Sequence, residues 1–129
     1  MAMGLHAVLG DRDDLVAVGV ALSRYEIWPL LKETLPDVVL LDYHLSEADG
    51  LEVCRRIRSM ALPPAVLIYT AFANETLSAA ATESGAAGLV SKGVPTRDLF
   101  EAIRTAARTR SAREEQGPRA GRRPRRDPS

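Results

Sequence analysis

Residues 37–50 read DVVLLDYHLSEADG, and the apolar run Val38, Val39, Leu40 and Leu41 stops on a single carboxylate, Asp42. Four branched or bulky apolar residues without alternation describe a strand covered on both faces, which is the condition of strands in a parallel sheet flanked by helices. Asp42 then stands at the carboxyl end of that strand. In an open α/β sheet this edge is where loops converge and ligands bind, so the position suits chemistry. The plainer alternative is an aspartate that opens a turn.

The other apolar runs fit the same frame. Residues 5–10 (LHAVLG) form a strand that runs into the acids of DRDD, residues 11–14. Leu15, Val18 and Leu22 fit a helical period, which predicts a helix over 15–25, capped by Asp13 or Asp14 and weakened by Gly19. In residues 26–36, Pro29 either kinks that helix or starts another, and Pro36 ends the helical pattern. Asp49 and Glu52 have capping-box spacing for a helix over 50–59 with Leu51, Cys54 and Ile57 inward. Residues 65–69 (AVLIY) form a strand ending at Thr70. Asn74 caps a helix over 75–84, and Gly85 stops it. Residues 86–91 form a strand ending at Lys92, and Thr96 caps a last helix to about residue 110, with Leu99, Phe100, Ile103, Ala106 and Ala107 inward. Strands alternating with helices imply a parallel sheet.

A chain of 129 residues, 46% hydrophobic, is one domain's worth of core, too short for a two-domain enzyme. One cysteine allows no internal disulfide and fits a reducing compartment. Neither a secretory leader at Met1 nor a membrane span is expected, so a soluble cytoplasmic protein follows. Residues 1–107 carry nine basic and fourteen acidic groups, whereas residues 108–129 carry eight and three. The body is thus −5 and the tail +5. Residues 111–129, rich in Arg, Pro and Gly, are expected to be a disordered tail with weak, salt-dependent affinity for acidic surfaces and no sequence-specific binding to nucleic acid.

Asp11, Asp42, Thr70 and Lys92 each follow a different predicted strand, and in a parallel sheet all four ends share one edge. Each has a dull explanation as a cap, a turn acid, a strand threonine or a solvated lysine. Together they supply oxygen ligands for a hard cation, a carboxylate nucleophile, a hydroxyl and a fixed positive charge. That set suits phosphoryl transfer to a carboxylate.

At these motifs, GDRDD, DVVLLDYHLSEADGLEV, AVLIYTA and GAAGLVSKGVPTRDLFEAI, the chain resembles a response-regulator receiver domain over residues 5–110. The resemblance implies a three-layer α/β, flavodoxin-like parallel sheet, with a receiver domain over 4–110 and the tail over 111–129. It implies that Asp42 is the phosphoacceptor, Thr70 the hydroxyl that follows the phosphoryl group, and Lys92 the charge that binds it. For Mg²⁺ it implies Asp11, Asp42 and the carbonyl of His44. It also implies a histidine kinase or phosphotransfer protein as partner, homodimers through the last helix, and a switch in a phosphorelay with little turnover of its own.

Three departures qualify it. Arg12 stands where the family's second acid would be, which weakens or abolishes metal binding. Leu89 replaces an aromatic residue three positions before Lys92. Only 31 positions separate Asp11 from Asp42, about a dozen fewer than the family pattern, so the second, edge strand is expected to be lost or shortened. Its loss would expose the first strand, or residues 25–28 would remain as an edge remnant. The alternative reading is a pseudo-receiver that binds partners without phosphorylation, with Arg12 pairing Asp42 or Asp11. A third is a piece of a longer regulator that carries a DNA-binding helix-turn-helix.

Overall fold

The computed structural model describes residues 4–10, 15–21, 24–42 and 47–116. Its elements are β1 (Gly4–Gly10), β2 (Leu15–Ala21), α1 (Arg24–Thr34), β3 (Val38–Asp42), α2 (Glu47–Arg58), β4 (Ala65–Thr70), α3 (Glu75–Glu83), β5 (Gly88–Ser91) and α4 (Thr96–Gln116). The five strands form one sheet in the order β2-β1-β3-β4-β5. β3, β4 and β5 are parallel. β1 is antiparallel to both neighbours, so β2 runs the same way as β3, β4 and β5.

The apolar run of β3 explains the three layers. Val39 and Leu41 point into a core shared with Val66 and Ile68 of β4 and closed by α1, α2 and α3 through Ile27, Leu31, Val53, Ile57 and Leu77. Val38 and Leu40 point the other way, with Ala65 and Leu67, under Ile103, Ala106 and Ala107 of α4. Val38, Val39 and Leu41 have no exposed surface and Leu40 very little. The unalternating run thus reads as two alternating sets, one for each face.

The amino-terminal third differs from the sequence reading. Residues 15–21 are a strand, not a helix. Val16, Val18 and Val20 alternate with small residues; the β-branched side chains favour an extended chain, and Gly19 weakens a helix. Only residues 11–14 connect β1 to β2. That is ample for a hairpin, whereas a parallel return needs a dozen residues or more. The edge position is therefore filled by seven residues of β2, and β1 lies inside the sheet instead of at its exposed edge. Residues 25–28 belong to α1, which continues through Pro29. Gly19 lets α1 settle on β2, since a methyl group there would run into Leu30 Cδ1.

Later elements follow the sequence more closely. Asn74 accepts the Leu77 amide at 2.8 Å as the α3 cap, and Gly85 follows the C-cap Ser84 with φ +94°. α2 begins at Glu47, which puts Asp49 inside the helix and not at its cap. The Asp98 amide bonds to the Pro95 carbonyl, so Pro95 occupies the cap position of α4 and Thr96 the first helical one. Phe100 is 43% exposed, not inward. α4 also runs on to Gln116, because SAREEQ consists of adequate helix formers and Gly117 is the first strong breaker. Residues 117–129 and the Asp13 or Asp14 cap lie outside the described residues.

Candidate functional site

Parallel pairing sets the carboxyl ends of β3, β4 and β5 side by side. Asp42 is the register partner of Tyr69, and Thr70 is the partner of Ser91. Beyond β5 the Lys92 amide donates to the Thr70 carbonyl at 2.8 Å, so the lysine leaves the sheet beside the threonine. A short turn follows. Ser91 Oγ accepts the Gly93 amide at 3.1 Å, and the Val94 amide donates to the Ser91 carbonyl at 3.2 Å. This turn aims Lys92 back across the edge, where its Nζ lies 2.6 Å from Asp42 Oδ1.

That ion pair is only part-exposed, at 25% for the lysine side chain and 21% for the aspartate. Oδ1 itself is closed off from solvent, so the accessible part of the Asp42 side chain lies elsewhere on it. The Lys92 ammonium also stands 5.6 Å from the Tyr69 ring centroid, where the ring's negative face helps hold it. Thr70 is fully buried, and its Oγ1 accepts the Phe72 amide at 3.1 Å. As an acceptor in that bond, the hydroxyl keeps its own hydrogen to donate. Leu89 is half-buried and packs against the core shared with α1, α2 and α3.

Of the residues singled out in the sequence, Asp42, Thr70 and Lys92 therefore meet at one edge. Asp11, Arg12 and His44 lie outside the described residues. Gly10, the last described residue before Asp11, is at the opposite edge, because β1 runs from Gly4 beside Asp42 to Val8 beside Val38 and onward. The reason is the hairpin that turned the predicted first helix into β2. Tyr69 and Ser91 were not singled out in the sequence, although a tyrosine beside the strand-end threonine and a serine before the lysine were there to be read. Gly4 stands next to Asp42 in register.

The chemistry of these donors sets how well a magnesium ion would fit. Mg²⁺ is held by one or two carboxylates with several waters in octahedral geometry. At this edge the described residues offer one carboxylate, already in contact with an ammonium, and among them no group of three acids, histidines or cysteines gathers anywhere. The described residues do not make the acid pair that the resemblance implies.

Cys54 belongs to the core and not to the site. Burial pushes its thiol up to about 11 against the opposing pull of Arg58 and Arg55, and its Sγ lies 3.5 Å from the Ser84 carbonyl. It is a small core side chain, protonated at neutral pH.

Comparison with known proteins bears on all of this. The family model for the response regulator receiver domain matches residues 1–104. Among curated proteins, the transcriptional regulatory protein YxjL of Bacillus subtilis is 31% identical over 105 residues, 81% of this chain and 48% of that one. The protein named "Probable transcriptional regulatory protein NarL" of Mycobacterium tuberculosis is 35% identical over 103 residues, 80% of this chain and 44% of that one. The chain spans about half the length of the curated relatives it matches. Among solved structures, a two-component response regulator of the LuxR family from Aurantimonas aligns with a TM-score of 0.59 at 32% identity, covering 66% of this chain and 61% of the other.

Proposed function

The chain belongs to the response regulator receiver domain family, and from that premise we propose that it accepts a phosphoryl group on Asp42 from a phosphohistidine of a histidine kinase or phosphotransfer protein. The observation that carries this reading is the ion pair of Asp42 and Lys92 with Thr70 on the adjacent strand end. Lys92 covers Oδ1, so the other carboxylate oxygen is the one that attacks phosphorus. The new bond is Oδ2–P and the bond that breaks is P–N, with the electron pair left on the donor imidazole. The ammonium stabilises charge on the transferred oxygens, and the Thr70 hydroxyl donates to one of them. Once the phosphoryl group is on Asp42, Lys92 is drawn from the carboxylate to the phosphoryl oxygens, and the Lys92–Thr70 backbone link carries the change to the ends of β4 and β5.

The protein is a switch in two-component signalling. No helix among the described residues is long and apolar enough to cross a membrane. Action in the cytoplasm, the output and dimerisation through α4 belong to the proposal. So does the division at residue 110, although α4 continues past it. Receivers of this family generally use Mg²⁺, which Asp42 would help to hold if the ion entered. The curated relatives are named as transcriptional regulatory proteins, so a DNA-binding partner segment is part of the same reading.

Incubation of the full chain with a small phosphodonor, read by intact mass, tests the assignment. One phosphoryl group is expected on the native protein and none on Asp42→Asn. Equal uptake by both would remove Asp42 from the reaction. One observation favours a second reading, a phosphorylation-independent interaction module: Asp42 is already neutralised at 2.6 Å in the resting state. If neither protein takes up phosphate, that reading holds.

A further inference from the structure

We propose that in this protein the cation serving Asp42 is the Lys92 ammonium and that the site takes no divalent metal. This rests on the reading of Asp42 as the reactive carboxylate and adds to it how the site manages charge. The direction of β1 carries it. Gly4 pairs with Asp42 and Val8 with Val38, so each step along β1 toward its carboxyl end leads away from the site.

The displacement is large compared with the reach of a side chain. Six residue steps separate Gly4 from Gly10, and at a strand's rise of about 3.3 Å per residue they carry the chain about 20 Å from the level of Asp42. Gly10 pairs there with Leu15, so both ends of the hairpin connection are fixed at the far edge. What β1 does place beside Asp42 is Gly4, which has no side chain. From β4 comes Tyr69 and from beyond β5 comes Lys92.

Charge then decides the occupant. Among the described residues, a magnesium ion entering here would face one carboxylate and would have to displace or tolerate an ammonium at 2.6 Å. Backbone carbonyls and waters complete a magnesium shell but bring no negative charge. The lysine is covalently attached and keeps its place through the backbone bond to Thr70 and the face of Tyr69.

Titration of the full chain with magnesium chloride, followed through the amide resonances of Asp42, Thr70 and Lys92, tests this directly. No saturable shift is expected at these three amides. A saturable shift that disappears in Asp42→Asn would overturn the proposal. The strand direction has its own check, because an antiparallel β1–β3 pair gives close Hα–Hα contacts at alternate pairs among Gly4–Asp42, Leu5–Leu41, His6–Leu40 and Ala7–Val39. Their absence, with a parallel pattern in their place, would also overturn it. Phosphorylation by a small phosphodonor should proceed at the same rate in chelator and in magnesium, and a strict magnesium requirement would count against the proposal. Failure to phosphorylate in both conditions would sink the assignment of Asp42 as acceptor, while the titration and the Hα–Hα contacts would still decide for or against the metal.

Discussion

β3 ends on one acid, Asp42, and directly follows another, Asp37; each is paired with a base, yet the two pairs are built differently. At the carboxyl end the Lys92 ammonium meets Asp42 at 2.6 Å from a turn. At the amino end Arg110 Nη1 meets Asp37 Oδ1 at 2.9 Å, while its Nε donates to the Pro63 carbonyl, also at 2.9 Å. Asp37 is itself tied into the sheet, its amide bonded to the Val8 carbonyl and its carbonyl to the Ala65 amide. The guanidinium fork thus fastens α4 to two loops in one fixed geometry, whereas an ammonium on a flexible stem can follow charge when it moves. One end of the strand is clamped and the other is left able to change partners.

The largest effect that would sharpen this contrast is at Lys92. Lys92→Ala should slow phosphorylation of Asp42 by about tenfold or more, since loss of a unit charge near ~4 Å costs at least ~1 kcal/mol and more where water is partly excluded. The midpoint of chemical denaturation should move little, because part-exposed ion pairs contribute about 1 kcal/mol or less. A native phosphorylation rate in a folded Lys92→Ala protein would break the distinction.

Arg110→Ala is expected to show the reverse. Stability should fall by about 1 kcal/mol, through the lost charge-assisted bonds to Asp37 and Pro63. The phosphorylation rate should not change. Urea denaturation measures the first and intact mass against time the second; a slower reaction at unchanged stability would mean that the amino end also takes part in the switch.

The smallest effect is expected for Arg110→Lys, which keeps the charge near Asp37 but cannot hold two acceptors in the planar fork. Its stability should lie between the native protein and Arg110→Ala. Equality with the native protein would show that the charge matters and the fork does not.

How much of this was legible varies along the chain. The sequence contained β3, β4, β5, the Asn74 cap and the Gly85 stop, because each depends on local chemistry: a run of apolar side chains, an oxygen in reach of an amide, a positive φ. Asp42, Thr70 and Lys92 were legible as strand-end residues for the same reason. Residues 15–21 were not. Leu15 and Val18 fit a period of 3.6, while Val16, Val18 and Val20 fit a period of 2, and seven residues cannot separate the two. A short connection beside an available β1 decided for the strand.

By itself, then, the sequence determined that β3 is buried on both faces and that Asp42, Thr70 and Lys92 stand at strand ends, since burial and strand termination are set within a few residues. Tertiary structure alone decided the direction of β1. Strand direction depends on what a strand can reach and pair with, and the hairpin from Gly10 to Leu15 turned the chain so that Gly4, and not Gly10, borders Asp42. It also decided that a lysine from beyond β5 would lie 2.6 Å from an acid fifty residues earlier, a contact set by sheet register that no local pattern encodes.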